Sequence, residues 1–231
     1  MNLPKVIFLD AVGTLFGIRG SVGQIYSNIA SDFGAETEPI EVDRAFIASF
    51  RAAPKYAFPN VPEIEIPKME YCWWEDIARN TFTKVGAIER FTDFERAFSR
   101  MYAYFATDEP WYVYEDVLPA LERWQAKNIQ LGIISNFDTR IDRVLELLGL
   151  KNYFQTITIS SLAGAAKPDA EIFKVALAKH NCSPHEAWHI GDSLEEDYCG
   201  AIDCGIKGFW LKRDSPTSSK IDRLHNLDSL G

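Results

Sequence analysis

An α/β fold built on a parallel sheet is predicted by three observations. Short apolar runs at residues 6–9, 129–135 and 187–190 read as buried strands, with weaker candidates at 156–159 and 208–211. Helix-periodic stretches at 117–127, 139–148 and 170–180 lie between them. Strands alternating with helices form βαβ units, and strands covered on both faces show continuous apolar runs. The third observation is an interruption: residues 17–112 hold no convincing strand, which predicts an all-helical insertion. The expected organisation is a sheet core of residues 1–16 and 113–231, with residues 17–112 inserted after the first strand.

Taken in order, the first strand is Val6-Ile7-Phe8-Leu9, ending at Asp10 and a Gly13-Thr14 turn. The insertion reads as helices at 22–33, 41–52, 68–85 and 92–107, with the Pro-rich piece 54–67 breaking the second from the third. Its aromatics, including Trp73, Trp74, Phe82, Phe91, Phe94, Phe98, Tyr102 and Phe105, are expected to pack helices together rather than line a pocket. The remaining strands and helices should connect by right-handed crossovers. Residues 214–220 read as a polar loop before a short last segment, 221–230.

Composition narrows the function classes. Of 231 residues, 47% are hydrophobic and 25% charged, as in ordinary globular proteins. The formal charge of −9 comes without a Lys/Arg cluster, which argues against a nucleic-acid partner. No apolar run approaches the roughly 18 residues of a membrane span. Cysteines 72, 182, 199 and 204 form no Cys-x-x-Cys pair, and no His stands at zinc-finger spacing from them. Free thiols and a strand entered directly after Pro4 lead to the expectation of a cytoplasmic location.

Ligands of doubly wound sheets bind at the carboxyl ends of strands. Four loops there carry polar residues that could serve one reaction. They are Asp10 with Thr14, Ser135-Asn136, Lys167-Pro168, and Gly191-Asp192-Ser193 followed by Asp197. Asp10 suits a nucleophile that forms a covalent intermediate. An incoming phosphate would repel that carboxylate, so Lys167 or a bound Mg²⁺ must offset the charge. Mg²⁺ takes oxygen ligands in near-octahedral array. Asp10, the Val12 carbonyl and Asp192 can supply them, with Asp197 or Glu196 holding a metal-bound water. Ser135 and Asn136 suit phosphate oxygens, aided by N–H groups of the following helix. Each residue also has a duller role: a helix cap for Asp10, a turn for Ser135-Asn136 or Gly-Asp-Ser, a solvated loop for Lys167. The order and spacing of all four argue against coincidence.

In that combination the chain resembles the haloacid dehalogenase superfamily. Its four motifs look like Asp10-Ala-Val-Gly-Thr14-Leu, Ser135-Asn136, Lys167-Pro-Asp-Ala-Glu-Ile-Phe173 and His189-Ile-Gly-Asp192-Ser-Leu-Glu-Glu-Asp197. The resemblance spans about residues 5–211. It implies a Rossmann-like core, and an α-helical cap for the insertion. It also implies a small-molecule substrate, phosphatase chemistry with Mg²⁺, and the roles given above for Asp10, Thr14, Ser135, Asn136, Lys167, Asp192 and Asp197. Phe58-Pro59-Asn60 ahead of Trp73-Trp74, and Ile134 to Asp138, are similar to a subgroup that also tends to lack the second Asp of motif one.

Val12 stands where family phosphatases carry that second Asp, which protonates the leaving group and activates water. Its absence removes help worth roughly 10²–10⁴ in rate. Three alternatives follow from the same departure. A carbon–halogen hydrolase of the dehalogenase branch needs no acid. Those enzymes, however, are metal-free and differ at the positions of Asp192, Leu194 and Phe173. A phosphonoacetaldehyde-type hydrolase would need a Schiff-base lysine, and Lys55 or Lys68 has no supporting context. A phosphate-binding pseudoenzyme would keep the pocket without turnover.

Overall fold

The computed structural model describes residues 3–213 and 223–230. In chain order the elements are β1 (Val6–Leu9), β2 (Phe16–Ile18), α1 (Val22–Ser31), α2 (Pro39–Ala52), α3 (Ile66–Lys84), α4 (Phe94–Tyr104) and β3 (Trp111–Val113). They continue as α5 (Val117–Ala126), β4 (Gln130–Ser135), α6 (Ile141–Leu147), β5 (Thr156–Ile159), α7 (Ser160–Ala163) and α8 (Ala170–Lys179). The last are β6 (Ala187–Gly191), a π-helical turn at Leu194–Cys199, α9 (Gly200–Asp203), β7 (Lys207–Leu211) and β8 (Arg223–Leu224). Among the described residues, no helix is long and apolar enough to cross a membrane.

Six strands form one parallel sheet in the order β5-β4-β1-β6-β7-β8. β1 is central, and all four of its side chains are fully buried. Each such side chain contributes roughly 1.5–3 kcal/mol by leaving water. Helices cover the sheet as an α/β fold requires. Ile172, Phe173, Ala176 and Leu177 of α8 pack with Val6, Phe8 and Ile134 in one core cluster. The Asp169 side chain starts α8 by accepting from the Glu171 N–H.

The chain divides into two compact units. Among the described residues, the first holds those up to Gly17, Tyr56–Glu63, and those from Val113 onward; the second holds Ile18–Lys55 and Ile64–Tyr112. The second unit contains α1 to α4. Its core gathers Ile25, Tyr26, Ile29, Phe82, Phe94, Phe98 and Met101, with Trp74, Phe91, Tyr102 and Phe105 partly buried against it. The ring of Phe82 lies 4.8 Å from that of Phe91, and Tyr71 lies 4.8 Å from Phe98, both edge to face. Most of the aromatic stripe is therefore helix packing. Trp73 stands outside that cluster and donates through Nε1 to the Pro54 carbonyl at 3.0 Å.

Three features depart from the sequence reading. Residues 17–112 do include strand: β2 and β3 form a separate two-stranded sheet, and three residues each are too few to show a period. The segment Tyr56–Glu63 groups with the sheet unit. It is fastened there by Tyr56, whose hydroxyl donates to Asp138 Oδ2 at 3.1 Å. The helix expected at 139–148 begins at Ile141, because Asp138 Oδ1 takes the Arg140 N–H and holds a turn before it. The polar loop expected at 214–220 lies outside the described residues.

Candidate active site

Sheet register brings the motif loops to one edge. Leu9 pairs with Ile133 on one side and Ile190 on the other. The Asp10 N–H extends that pairing by one bond to the Ile190 carbonyl, at 2.9 Å. Asp10 therefore leaves β1 level with Ser135 at the end of β4 and with Gly191-Asp192 at the end of β6.

The side chains then knit around one oxygen. Asp10 Oδ1 accepts from Lys167 Nζ at 2.7 Å and from the Ser135 hydroxyl at 3.0 Å. Lys167 is buried, and its ammonium also donates to Asp197 Oδ1 at 2.5 Å and to the Ile134 carbonyl at 2.9 Å. Its three N–H groups each have an acceptor. Asn136 fixes the backbone of Lys167 from both sides. Its Oδ1 takes the Lys167 N–H at 2.7 Å, and its Nδ2 donates to the Lys167 carbonyl at 3.0 Å. The same Nδ2 reaches Glu196 Oε2 at 3.1 Å. The Lys167–Pro168 peptide is cis.

Three carboxylates converge. Asp10, Asp192 and Asp197 each offer an oxygen, all within 4.8 Å of one another. Two glycines make room. Gly13 sits at φ +86°, and any Cβ there would run into the Asp192 carboxylate; a Cβ on Gly191 would run into that of Asp197. The Ser193 hydroxyl accepts from the Glu196 N–H and starts the π-helical turn, while the Ser193 N–H donates to Asp197 Oδ2 at 3.0 Å.

The electrostatics follow from burial and sign. Burial alone would lower Lys167, but Asp10 and Asp197 outweigh it and hold the ammonium charged. Burial alone would raise Asp197, yet Lys167 and His189 keep it well below the ordinary carboxylate range. Asp10 is pushed up by burial, with Asp197 adding to it and Lys167 and Ser135 pulling back. Asp192 is exposed at its surface. Desolvation by the surrounding chain, then the charges of Asp10 and Asp197, push it up to about 7. Three carboxylates against one ammonium leave the cluster two negative charges in excess when all are ionised.

Two predicted residues do less than the others. Val12 is half-buried, forms an isolated bridge with Phe16, and brings no polar side-chain atom. Thr14 is fully buried, and its Oγ1 has no hydrogen-bond partner among the described residues. Sequence reading assigned His189 no role. It is fully buried on β6, with Nε2 2.9 Å from Asp197 Oδ1. The available signal was an ionisable residue inside the apolar run Ala187-Trp188-His189-Ile190.

The family model for a haloacid dehalogenase-like hydrolase matches residues 4–205, the stretch that carries all four loops. The chain belongs to that family. It is similar to haloacid dehalogenase-like hydrolase domain-containing protein 3 of Mus musculus, at 30% identity over 98% of this chain and 90% of the relative. Among solved structures it is similar to YfnB of Bacillus subtilis, described as a HAD-hydrolase bound to magnesium. That likeness has TM-score 0.75, 16% identity, and 99% and 97% coverage of the two chains. It is also similar to the 2-haloacid dehalogenase of Pseudomonas syringae pv. Tomato DC3000, with TM-score 0.66, 20% identity, and 99% and 96% coverage. At these identities the two structures speak for the α/β fold alone. This family member shares that fold with a magnesium-bound hydrolase and a dehalogenase alike, so its chemistry has to be argued from its own residues.

Proposed function

We propose that this hydrolase is a Mg²⁺-dependent phosphohydrolase acting on a small phosphorylated molecule in the cytoplasm, with Asp10 as nucleophile. The observation that carries the reading is the excess negative charge of Asp10, Asp192 and Asp197 over Lys167, within a cluster of oxygens no more than 4.8 Å apart. All-oxygen donors of that charge suit a hard divalent cation. A halide-displacing site needs no such cluster, and uncompensated carboxylates at this spacing repel. Asp10, Asp192 and the Val12 carbonyl would hold Mg²⁺, with Asp197 orienting water beside it. When bound, the ion neutralises charge on the phosphoryl oxygens and on the carboxylates.

The chain's own residues do the rest. Asp10 attacks phosphorus: a carboxylate O–P bond forms, the bond from phosphorus to the leaving oxygen breaks, and its electron pair departs with the leaving group. Water then cleaves the acyl phosphate and regenerates Asp10. Lys167 holds charge at the transferring group and keeps Asp10 oriented. Ser135 turns from Asp10 to a phosphoryl oxygen, Thr14 offers its hydroxyl, and Asn136 keeps the Lys167 backbone in place. Val12 cannot protonate the leaving oxygen. The loss of roughly 10²–10⁴ in rate is about 3–5 kcal/mol of barrier. Acyl and aryl phosphates, whose leaving groups need little protonation, therefore suit this site better than alkyl phosphates. The helical unit serves as the cap that the insertion resembles.

Hydrolysis of p-nitrophenyl phosphate tests the reading. Turnover should require Mg²⁺, stop with EDTA, and be abolished by Asp10→Asn. Pure wild-type protein without turnover under these conditions overturns it, and chloride release from 2-chloropropionate then decides for the dehalogenase branch.

A further inference from the structure

We infer that His189 is a positioning residue whose Nε2–H locks the Asp197 carboxylate, and through it the Lys167 ammonium, against Asp10. The geometry stands alone; its consequence for turnover rests on the phosphohydrolase reading.

Packing by itself asks for no histidine at this position. Every residue of β6 is buried, and the ring of the neighbouring Phe173 stands 5.4 Å away at 87° to the His189 ring. A leucine would fill such a place. What a leucine cannot supply is the 2.9 Å bond to Asp197 Oδ1. An ionised carboxylate only accepts, so Nε2 must carry the proton. That leaves Nδ1 as a buried lone pair, and among the described residues it has no partner. The ring thus gives up one polar group to satisfy Asp197.

Asp197 is where that bond matters. Its Oδ2 is fixed by the Ser193 N–H, and its Oδ1 is shared between Lys167 and His189. Of these donors, the Ser193 backbone N–H and the buried His189 ring are fixed, one on each oxygen, and together they stop the carboxylate plane from turning; the long Lys167 side chain moves with it. Lys167 has its three N–H groups on Asp10, Asp197 and the Ile134 carbonyl. Its direction therefore depends on where Asp197 Oδ1 stands. Freeing Oδ1 on the His189 side lets the carboxylate rotate, and the ammonium follows it away from Asp10. The chain of contacts is His189 to Asp197 to Lys167 to Asp10, entirely inside the sheet unit.

Three substitutions separate positioning from filling. His189→Gln keeps a donor N–H at the reach of Nε2, His189→Asn keeps polarity but falls short, and His189→Leu keeps bulk alone. The first readout is the proton–nitrogen spectrum of lysine ammonium groups. A buried, triply bonded Lys167 gives a slowly exchanging signal, assigned by its absence in Lys167→Met. The second is p-nitrophenyl phosphate turnover with Mg²⁺, and thermal melting controls for folding. The expected result is that Leu and Asn lose the protected signal and about 10²-fold in kcat, with KM changed far less, as for a misplaced catalytic group. Gln restores both. The inference is overturned if His189→Leu keeps the protected signal, or if the wild-type protein never shows it. Should the wild type lack turnover, the phosphohydrolase reading falls, while the ammonium spectrum still decides the inference. If Leu does not fold, the comparison of Gln with Asn decides it.

Discussion

Replacing Lys167 by Met should reveal how strongly the site is strained by its own charge. Lys167 is the cation bonded to Asp10 and Asp197, at 2.7 and 2.5 Å, and its side chain is 1% exposed. Met has similar length and removes the charge together with its three N–H donors. Breaking a buried pair by deleting one partner costs about 3–5 kcal/mol, because the remaining charges are left uncompensated. Here two carboxylates lose the same cation, and Asp192 stands close by. The expected loss in metal-free protein near pH 8 is therefore at the upper part of that range, about 4–5 kcal/mol. For a chain of this size that lowers the melting temperature by roughly 8–20 °C. The sign of the pH dependence is fixed. Asp10 and Asp192 already lie above their unfolded values by burial and repulsion among the carboxylates, and losing Lys167 raises both further. The folded protein then binds more protons, and the variant gains stability as pH falls from 8 toward the ordinary carboxylate range. Urea unfolding in EDTA at pH 8 and pH 6, wild type against variant, measures both effects. A loss under about 1 kcal/mol at pH 8, with no recovery at pH 6, would refute the picture of a buried ammonium balancing these carboxylates.

Three further outcomes are expected. Gly13→Ala should abolish turnover and lower stability by more than about 1 kcal/mol, since it combines a φ of +86° with overlap onto Asp192; unchanged turnover contradicts the close approach. Mg²⁺ affinity measured calorimetrically should weaken below about pH 7, because Asp192 there holds a proton that the ion must displace; equal affinity at pH 6 and 8 counts against Asp192 as a ligand. His180, buried between Thr156 and Gln130, is held neutral first by burial and then by Lys5 and Lys179. Its folded pKa lies below the unfolded value of about 6.5, so the unfolded chain binds the extra proton and stability falls as pH drops below about 6.5. His180→Gln should flatten that slope in urea unfolding between pH 7.5 and 5.5.

Much of the fold is legible in the chain because burial is periodic and local. The runs at 6–9 and 156–159 coincide with β1 and β5, and those at 129–135 and 187–190 differ from β4 and β6 by one residue. Strands buried on both faces cannot hide their composition. β2 and β3 were not legible, since three residues carry no period, and neither was the grouping of 56–63 with the sheet, which depends on a tyrosine meeting Asp138 across 82 positions. The motif residues Asp10, Ser135, Asn136, Lys167, Asp192 and Asp197 could be picked out by type, because strand ends in an α/β sheet share one edge.

What the chain determined by itself, then, is which side chains leave the carboxyl ends of the strands, and that Val12 brings no acid. Only the tertiary structure decided how they pair. Lys167 takes Asp10 and Asp197 rather than solvent, Ser135 turns onto Asp10, and His189 reaches Asp197 from inside a strand. The reason is physical. Strand identity follows from neighbours in sequence, whereas a bond of 2.5–3.0 Å between residues 30, 125 or 157 positions apart follows from register and sheet order, which long-range pairing alone fixes.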